Sequence, residues 1–335
     1  MAGTDGAPPP AVESWRPDYE ALRRGVGALA LGRDVVEVRG ADAGDYLQGQ
    51  LSQDVGALEV GAVVDSLLLT PQGKLDALVR VARVAEDRWC LDTGAGFGEV
   101  VAARLRRFKL RVKVDIEPLA WGAVAVRGPD TATVVSGAGR HRPGSDPPGG
   151  DDGLGAVAVV APVAWNGVEG VDLLGEAPQV PPGVALCAPE AGEAVRVEAG
   201  IPAMGSELDD RTIAAEAGLL ERTVSFTKGC YTGQELVARL DARGNKVARH
   251  LRGVVLAPGD PAAGTGAWST LVGADLVHDG RSVGSITSAA WSPTLGCPVA
   301  LGYVHRRVEP PAAIDVVPPG GAAPVRGEIR TVPLV

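Results

Sequence analysis

Apolar positions in the first half of the chain recur with two periods. Alternation of apolar and polar residues predicts strands, and apolar residues at helical spacing predict helices. The predicted strands are 34–38, 67–69, 75–84, 89–92, 111–116 and 121–126. The predicted helices begin after Asp42, run over 98–108, and run over 129–135. This mixture predicts an α+β fold with mixed sheets.

The pattern changes near residues 250–258, beyond which apolar segments are short and separated by turns. These segments are 251–256, 271–276, 283–287, 299–304, 313–317 and 325–330. Short strands without a long helix are typical of a small β-barrel. We therefore predict a flexible tail (1–20), a core of two subdomains (21–250) and a C-terminal β-barrel (251–335). Residues 136–153, rich in Gly, Pro and Asp, are predicted to form an exposed loop.

Composition and charge argue against a disordered chain, a membrane-spanning protein and a strong nucleic-acid binder. Of the 335 residues, 45% are hydrophobic, which is typical of a folded chain, and no segment is apolar enough to span a bilayer. The first residues lack the features of a signal peptide, so the expected location is the cytoplasm, without membrane partners. A net charge of -9 argues against strong direct nucleic-acid binding.

The cysteines and the clustered basic residues are candidate sites. The four cysteines are Cys90, Cys187, Cys230 and Cys297, and no two form a C-x-x-C pair. This spacing argues against a disulfide framework, and no metal site is predicted. Basic residues cluster over 104–113 and over 239–252. Each cluster is interpreted either as a solvated face or as an anion site.

The segment Lys-Gly-Cys-Tyr-Thr-Gly-Gln-Glu, residues 228–235, carries the most chemistry. Thr232 and Glu235 have the spacing of a capping box, which predicts a helix that begins just after Cys230. A helix N-terminus and the charge of Lys228 would favour a thiolate at that position. The alternative is that Cys230 is a small buried hydrophobe.

This segment, with the Val-Ala-Arg and Arg-Gly that follow it, resembles the YgfZ family of folate-binding proteins. Further similar segments are 40–42, 46–50, 54–55, 196–202, 284–288, 292–293 and 300–302. The last three also resemble the C-terminal barrel of the glycine-cleavage T protein. The resemblance implies a three-part cloverleaf fold and tetrahydrofolate, or a folate derivative, as cofactor.

The resemblance also assigns residues. Glu198 matches a carboxylate that accepts hydrogen bonds from the pterin; the alternative is a strand glutamate paired with Arg196. Arg239 is expected either to pair with Glu235 or to face an anion. Catalytic roles fall to Lys228 and Cys230. The predicted folate contacts are Asp76, Arg196, Glu198, Tyr231, Gln234, Glu235 and Arg239.

The chain departs from the aminomethyltransferases at one turn. They carry two adjacent aspartates where this chain has Asp76 and Ala77. This departure puts aminomethyl transfer in doubt, and the leading prediction, which the resemblance to the YgfZ family implies, is a folate-binding protein that assists the assembly or repair of iron–sulfur enzymes and thereby affects tRNA modification. Its expected partners are folate and iron–sulfur proteins or their assembly factors. One alternative is a tetrahydrofolate-dependent aminomethyltransferase of the glycine cleavage type. Another is a thiol enzyme whose barrel binds a partner protein.

Overall fold

The computed structural model describes residues 11–135, 153–257, 267–320 and 323–335. The predicted loop at 136–153 lies, except for Gly153, outside the described residues. The helices are α1 Val12–Arg24, α2 Ala43–Gln50, α3 Gly98–Phe108, α4 Thr131–Val134, α5 Pro189–Ala199, α6 Leu220–Thr223 and α7 Gln234–Asp241, with a 3-10 helix at Ala267–Leu271.

The strands fall into two groups along the chain. Those of the first part are β1 Gly27–Leu31, β2 Arg33–Arg39, β3 Val63–Leu69, β4 Leu75–Ala85, β5 Arg88–Gly94, β6 Asp115–Leu119, β7 Gly122–Arg127, β8 Gly155–Ala156, β9 Val159–Trp165, β10 Val168–Gly175 and β11 Ala177–Pro178. Those of the last part are β12 Arg249–Leu256, β13 Asp275–His278, β14 Arg281–Ser292, β15 Cys297–His305, β16 Ala312–Val317 and β17 Val325–Arg330.

The strands build two larger sheets, a short ribbon and a barrel. The five-stranded sheet has the order β3-β4-β5-β2-β6, and the four-stranded sheet has the order β1-β7-β10-β9. β8 and β11 form the ribbon, and β12-β15-β14-β13-β16-β17 close into a six-stranded barrel. The predicted α+β class with a C-terminal β-barrel is confirmed. No helix in the described parts of the chain has the length and apolar character needed to cross a membrane.

A chain of buried ion pairs joins the two larger sheets. Arg80 on β4 binds Asp92 on β5 at 2.9 Å and Asp172 on β10 at 2.7 Å. Arg33 also pairs with Asp92, and Arg127 pairs with Asp172. Each carboxylate is thus shared between two arginines. Because breaking a buried pair leaves an uncompensated charge, this chain holds the two sheets in one arrangement.

Helices α1 and α5 pack against each other and against the barrel, and they carry the central core. Trp15 and Tyr19 on α1 are 2% and 1% exposed. Residues 12–20 therefore belong to a packed helix, which corrects the predicted flexible tail for that part. The reason is the spacing of Trp15, Tyr19 and Leu22, which places all three on one face of α1.

Two of the predicted strands are shifted in the structure. The strand predicted at 111–116 begins only at Asp115, because Arg111 adopts a left-handed backbone with a φ of 56°. The segment predicted at 271–276 contains the end of the 3-10 helix, and β13 begins at Asp275. In contrast, α3 has the predicted bounds, and the β3–β4 hairpin is present.

Candidate functional site

Residues 225–233, here called the thiol loop, connect α6 to α7 and rest on the end of α2. The Ser225 amide donates to the Ser52 carbonyl at 3.0 Å, and the Thr232 amide donates to the Gly49 carbonyl at 3.2 Å. Backbone hydrogen bonds at both ends therefore fix the loop on the five-stranded unit, which comprises the five-stranded sheet with α2 and α3, without using the side chain of Cys230.

Lys228 anchors the middle of the thiol loop. Its Nζ donates to the carbonyl oxygens of Gln48, Leu51 and Gln53 at 2.7, 2.7 and 2.8 Å. It also lies 5.3 Å from the ring centroid of the buried Tyr231. Burial lowers the pKa of Lys228 to about 8, although Asp54 opposes the shift. All three ammonium donors are therefore used by backbone carbonyls.

Two glycines let α7 begin directly against the β3–β4 turn. Gly233 has a φ of 84°, and a Cβ there would lie 2.6 Å from the Thr70 carbonyl oxygen. Gly73, with a φ of 78°, would place a Cβ 2.5 Å from the Cβ of Leu236. A side chain at either position would push the turn and the helix apart.

The thiol loop presents Cys230 to solvent. Of the four cysteines, all in described parts of the chain, Cys230 is exposed and the others are buried. Burial raises the pKa of Cys90 to about 12 and that of Cys187 to about 11, and it also raises the pKa of Cys297. The interpretation of Cys230 as a buried hydrophobe is thus wrong, and the other three thiols are poor nucleophiles.

The predicted start of α7 is also wrong. The helix begins at Gln234 with Gly233 at the N-cap, and no side chain caps it. The left-handed backbone of Gly233, with a φ of 84°, lies between Thr232 and the helix, and the predicted capping box is absent. The charge of Lys228 is directed to the carbonyls of α2 and the residues after it. The two features that were predicted to favour a thiolate therefore differ from the prediction: the helix begins at Gln234, and the Lys228 ammonium group binds backbone carbonyl oxygens.

Asp76 lies on β4, next to the turn that supports α7. Its Oδ2 accepts a hydrogen bond from Arg104 Nε at 3.0 Å, and Arg104 also donates to Gln50 and to the Leu69 carbonyl. Burial raises the pKa of Asp76, against the opposing effect of Arg104. Ala77 is fully buried in the apolar cluster that contains Leu47. A carboxylate at position 77 would lie in that apolar cluster.

Glu198 forms a separate buried group near the barrel, here called the Glu198 cluster. Its carboxylate accepts hydrogen bonds from Tyr19 Oη at 2.8 Å, Ser292 Oγ at 2.5 Å and Arg23 Nη2 at 3.0 Å. The side chain has no exposed surface. Burial raises the pKa of Glu198, while Ser292, Tyr19 and Arg23 oppose the shift. These three donors satisfy the buried carboxylate from within the protein.

The alternative assignment of Glu198 is wrong in two respects. Glu198 lies on helix α5 and not on a strand. Arg196, on the same helix, turns to Glu193 at 2.7 Å and to Glu207 at 2.9 Å. Residues 196 and 198 differ by about 200° around a helix, so their side chains leave on opposite faces.

The remaining predicted residues lie on α7. Gln234 is half-buried at its first position, and Glu235 and Arg239 are exposed. Within the described parts of the chain, no ion pair joins Glu235 to Arg239, and no hydrogen bond joins the thiol loop to the Glu198 cluster.

Sequence reasoning missed Tyr19, Arg23 and Ser292. The spacing of Tyr19 and Arg23, four residues apart on one helix, was the available signal.

Two family models match the chain outside its middle. The model described as the GCVT N-terminal domain matches residues 9–141, and the glycine cleavage T-protein C-terminal barrel domain matches residues 249–329. Together they span well over half of the sequence. The chain belongs to the glycine-cleavage T-protein-like superfamily.

Individual relatives agree with this membership. An aminomethyltransferase of Corynebacterium jeikeium is 26% identical over 86% of this chain and 81% of its own length. An uncharacterized protein of Haemophilus influenzae is 27% identical over 63% of this chain and 66% of its own length. The crystal structure of aminomethyltransferase T from Bartonella henselae superposes with a TM-score of 0.74 and 21% identity, over 95% of this chain and 89% of the other. This last similarity concerns the fold.

Proposed function

We propose that this superfamily member is a YgfZ-like, tetrahydrofolate-binding protein that assists the assembly or repair of iron–sulfur enzymes and so affects tRNA modification. The observation that carries the proposal is the exposed Cys230, held on a loop whose backbone is fixed by Lys228 and α2. A fixed, exposed thiol is suited to reach the surface of another protein. We place this activity in the cytoplasm, as the sequence predicted.

The role of Cys230 follows from how the thiol loop is built. Backbone amides of the loop and the Lys228 ammonium group donate to carbonyl oxygens of α2 and of the residues that follow it. No described hydrogen bond uses the Cys230 thiol. A thiol can act as a nucleophile or as a ligand once it is deprotonated. In this proposal, Cys230 loses its proton to solvent and acts as a thiolate ligand for iron on an iron–sulfur protein, and Lys228 is a positioning residue.

Folate binding requires a carboxylate for the N–H donors of the pterin, and Glu198 has the right chemistry. Its oxygens, however, already accept hydrogen bonds from Tyr19, Ser292 and Arg23. Because Glu198 also has no exposed surface, a pterin can reach it only if one of these side chains moves. Arg23 is the best candidate, because it is 18% exposed and lines a cavity of about 140 Å³. Bound folate would supply a one-carbon carrier, and the residues of this chain would bind and orient it.

Aminomethyl transfer is the alternative function, and several relatives carry that name. The buried Ala77 argues against it, because the second carboxylate of the turn is absent and Asp76 is engaged by Arg104. Loss of one acid–base group typically lowers a rate about a hundredfold to ten-thousandfold.

The test combines binding with turnover on the purified protein. Calorimetry is expected to detect tetrahydrofolate binding, whereas an aminomethyl-loaded lipoyl carrier is expected to release ammonia only at the background rate. A genuine aminomethyltransferase run in parallel is the control. Robust ammonia release would replace the proposal with the aminomethyltransferase function, and failure to bind folate would remove folate from it.

A second measurement addresses the iron–sulfur part. In cells that lack the protein, the specific activity of an iron–sulfur enzyme and the level of a tRNA modification that depends on such enzymes are expected to fall. A plasmid copy of the wild-type gene is expected to restore both. If neither quantity changes in the deletion strain, the role in iron–sulfur maturation is refuted, whatever the folate result.

A further inference from the structure

The outward face of α3 carries apolar side chains that the fold does not use. Val100 is 42% exposed, and Leu110, two residues beyond the end of the helix, is 77% exposed. Ala103 and Arg107 are exposed between them. The spacing of three and four residues places Val100, Ala103 and Arg107 in one stripe along the helix, and Leu110 follows the C-terminal end of that helix.

The opposite face of α3 already anchors the helix. Val101, Ala102 and Leu105 are fully buried in the core of the five-stranded unit. Arg104 points inward as well, to Asp76. The stability of α3 therefore does not need the outward stripe, and the exposed Leu110 has no partner within the core cluster.

Exposed cations lie in the last turn of α3 and in the residues that follow it. The exposed residues that follow or end α3 include Arg107, Lys109, Arg111 and Lys113. Arg106 is engaged by Glu99 and the Ile116 carbonyl, whereas these four form no ion pair with any described residue. The whole chain carries a net charge of -9, so this is a local reversal of its surface charge.

The backbone at this corner is held in an uncommon conformation. Arg111 has a φ of 56°, which few residues other than glycine adopt. The Lys113 amide donates to Asp42 at 2.7 Å and holds the following residues against α2. The corner is therefore a defined surface and not a free run of charges.

We propose that the α3 surface is a docking site for an acidic protein segment that carries apolar anchor residues. The α3 surface comprises Val100, Ala103, Arg107, Lys109, Leu110, Arg111 and Lys113. Charge complementarity attracts acidic residues, and the stripe with Leu110 offers an apolar contact at its centre, as in protein interfaces with a polar rim. Nucleic-acid phosphates would gain nothing from Leu110 and Val100. The apolar area of Val100, Ala103 and Leu110 is small for insertion into a membrane.

This surface is independent of the proposed folate and iron–sulfur role, but it shares a rigid unit with the thiol loop. The Leu105 carbonyl on α3 accepts a hydrogen bond from Tyr46 on α2 at 2.5 Å. The next turn of α2 supports the thiol loop through the carbonyls of Gln48 and Gly49. A partner docked on α3 thus lies on the same body that presents Cys230.

The test uses a fluorescent acidic helical peptide with leucines spaced along one face, and fluorescence anisotropy as the readout. The full-length protein is expected to bind it with a Kd in the micromolar range and more weakly as salt increases. Leu110→Ser and the double variant Arg107→Glu/Lys109→Glu are each expected to weaken binding at least about tenfold, by loss of the apolar contact and by charge reversal respectively.

Matched variants on the barrel side provide the controls. Val272→Ser changes another exposed apolar residue (48% exposed), and Arg281→Glu reverses an exposed charge on β14. Both are expected to bind the peptide as the wild type does. Thermal unfolding of all variants checks that these exposed positions leave the fold intact.

Several outcomes would overturn the proposal. Absence of peptide binding refutes the docking site, and so does wild-type affinity in Leu110→Ser. A peptide with serines in place of the leucines is expected to bind at least about tenfold more weakly; equal binding would indicate charge attraction alone. Tighter binding of single-stranded DNA, or of vesicles rich in phosphatidylglycerol, through the same residues would assign the surface to a nucleic acid or a membrane instead.

Discussion

The thiol loop and the Glu198 cluster each hold one chemically capable side chain, and they hold it in opposite ways. Cys230 stands in solvent on a loop that is fixed through backbone amides and through Lys228. Glu198 has no exposed surface, and its carboxylate is bound by three side chains of α1 and β14. The thiol loop leaves its thiol accessible to other molecules, whereas the Glu198 cluster surrounds its carboxylate on all sides.

This difference separates what function requires from what the fold requires. No described hydrogen bond of the thiol loop involves the Cys230 side chain, so the thiol is available to another molecule without rearrangement. Glu198 links α1, α5 and the barrel, so a ligand that uses its oxygens must break hydrogen bonds that stabilise the fold. Folate binding and stability are therefore coupled at Glu198, whereas thiol chemistry and stability are separate at Cys230.

The largest expected effect is on activity at Cys230. Cys230→Ser is expected to abolish complementation in cells that lack the protein, because the thiol is the reactive group. The melting temperature is expected to stay within about 1 °C of the wild type, since exposed substitutions of one atom rarely affect stability. The control is Cys297→Ser, at a buried position outside the loop, which is expected to keep activity and lose stability. Full complementation by the Cys230→Ser variant would remove the thiol from the mechanism.

Elements with one buried face were predicted well. Helix α3 has the predicted bounds, because Val101 and Leu105 recur at helical spacing and are buried on one face. The strand predicted at 111–116 is shifted to Asp115–Leu119, because the alternating basic and apolar residues of 109–113 have the pattern of a half-buried strand but do not form one. The left-handed Arg111 breaks that pattern, and sequence periodicity does not report a backbone angle.

The contacts of the candidate-site residues could not be predicted from the sequence. Cys230 and Glu198 could be selected by resemblance, but the partners of Glu198 lie 179 and 94 positions away in sequence. The capping box failed for a related reason. Position 233 has no room for a side chain because the Thr70 turn, more than a hundred residues earlier, lies against it, and a local motif does not contain that contact.

The next largest effect is expected in the Glu198 cluster. Glu198→Gln keeps the shape but removes the charge that compensates Arg23, so the free energy of unfolding is expected to fall by about 3 kcal/mol. Urea unfolding measures it, and Glu193→Gln, a more exposed residue of the same helix, is the control, with a much smaller expected loss. Calorimetry on the same variant tests the folate contact. Unchanged stability would mean that the cluster is not a structural unit.

A smaller effect is expected from Lys228→Met. The carbonyls of Gln48, Leu51 and Gln53 lose their shared donor, which is expected to cost about 2 kcal/mol. Hydrogen exchange is expected to accelerate in residues 225–233 and not in the barrel. Lys246→Met, at an exposed lysine, is the control. If exchange in the loop remains at the wild-type rate, Lys228 is not the anchor and its direct role beside Cys230 has to be reconsidered.

The smallest effect concerns the pH dependence of the same anchor. Burial places the folded-state pKa of Lys228 at about 8, below its ordinary value of 10.5. Between these values the unfolded chain binds more protons than the folded chain, so the contribution of Lys228 to stability increases as the pH rises through that window. Lys228 is half-buried, so solvent screening reduces this gain. Urea unfolding of the wild type and of Lys228→Met, compared at several pH values above neutrality, is expected to show a difference that grows in favour of the wild type by less than about 1 kcal/mol. A difference that shrinks with rising pH would show that the three carbonyls hold the charged form more strongly than burial opposes it.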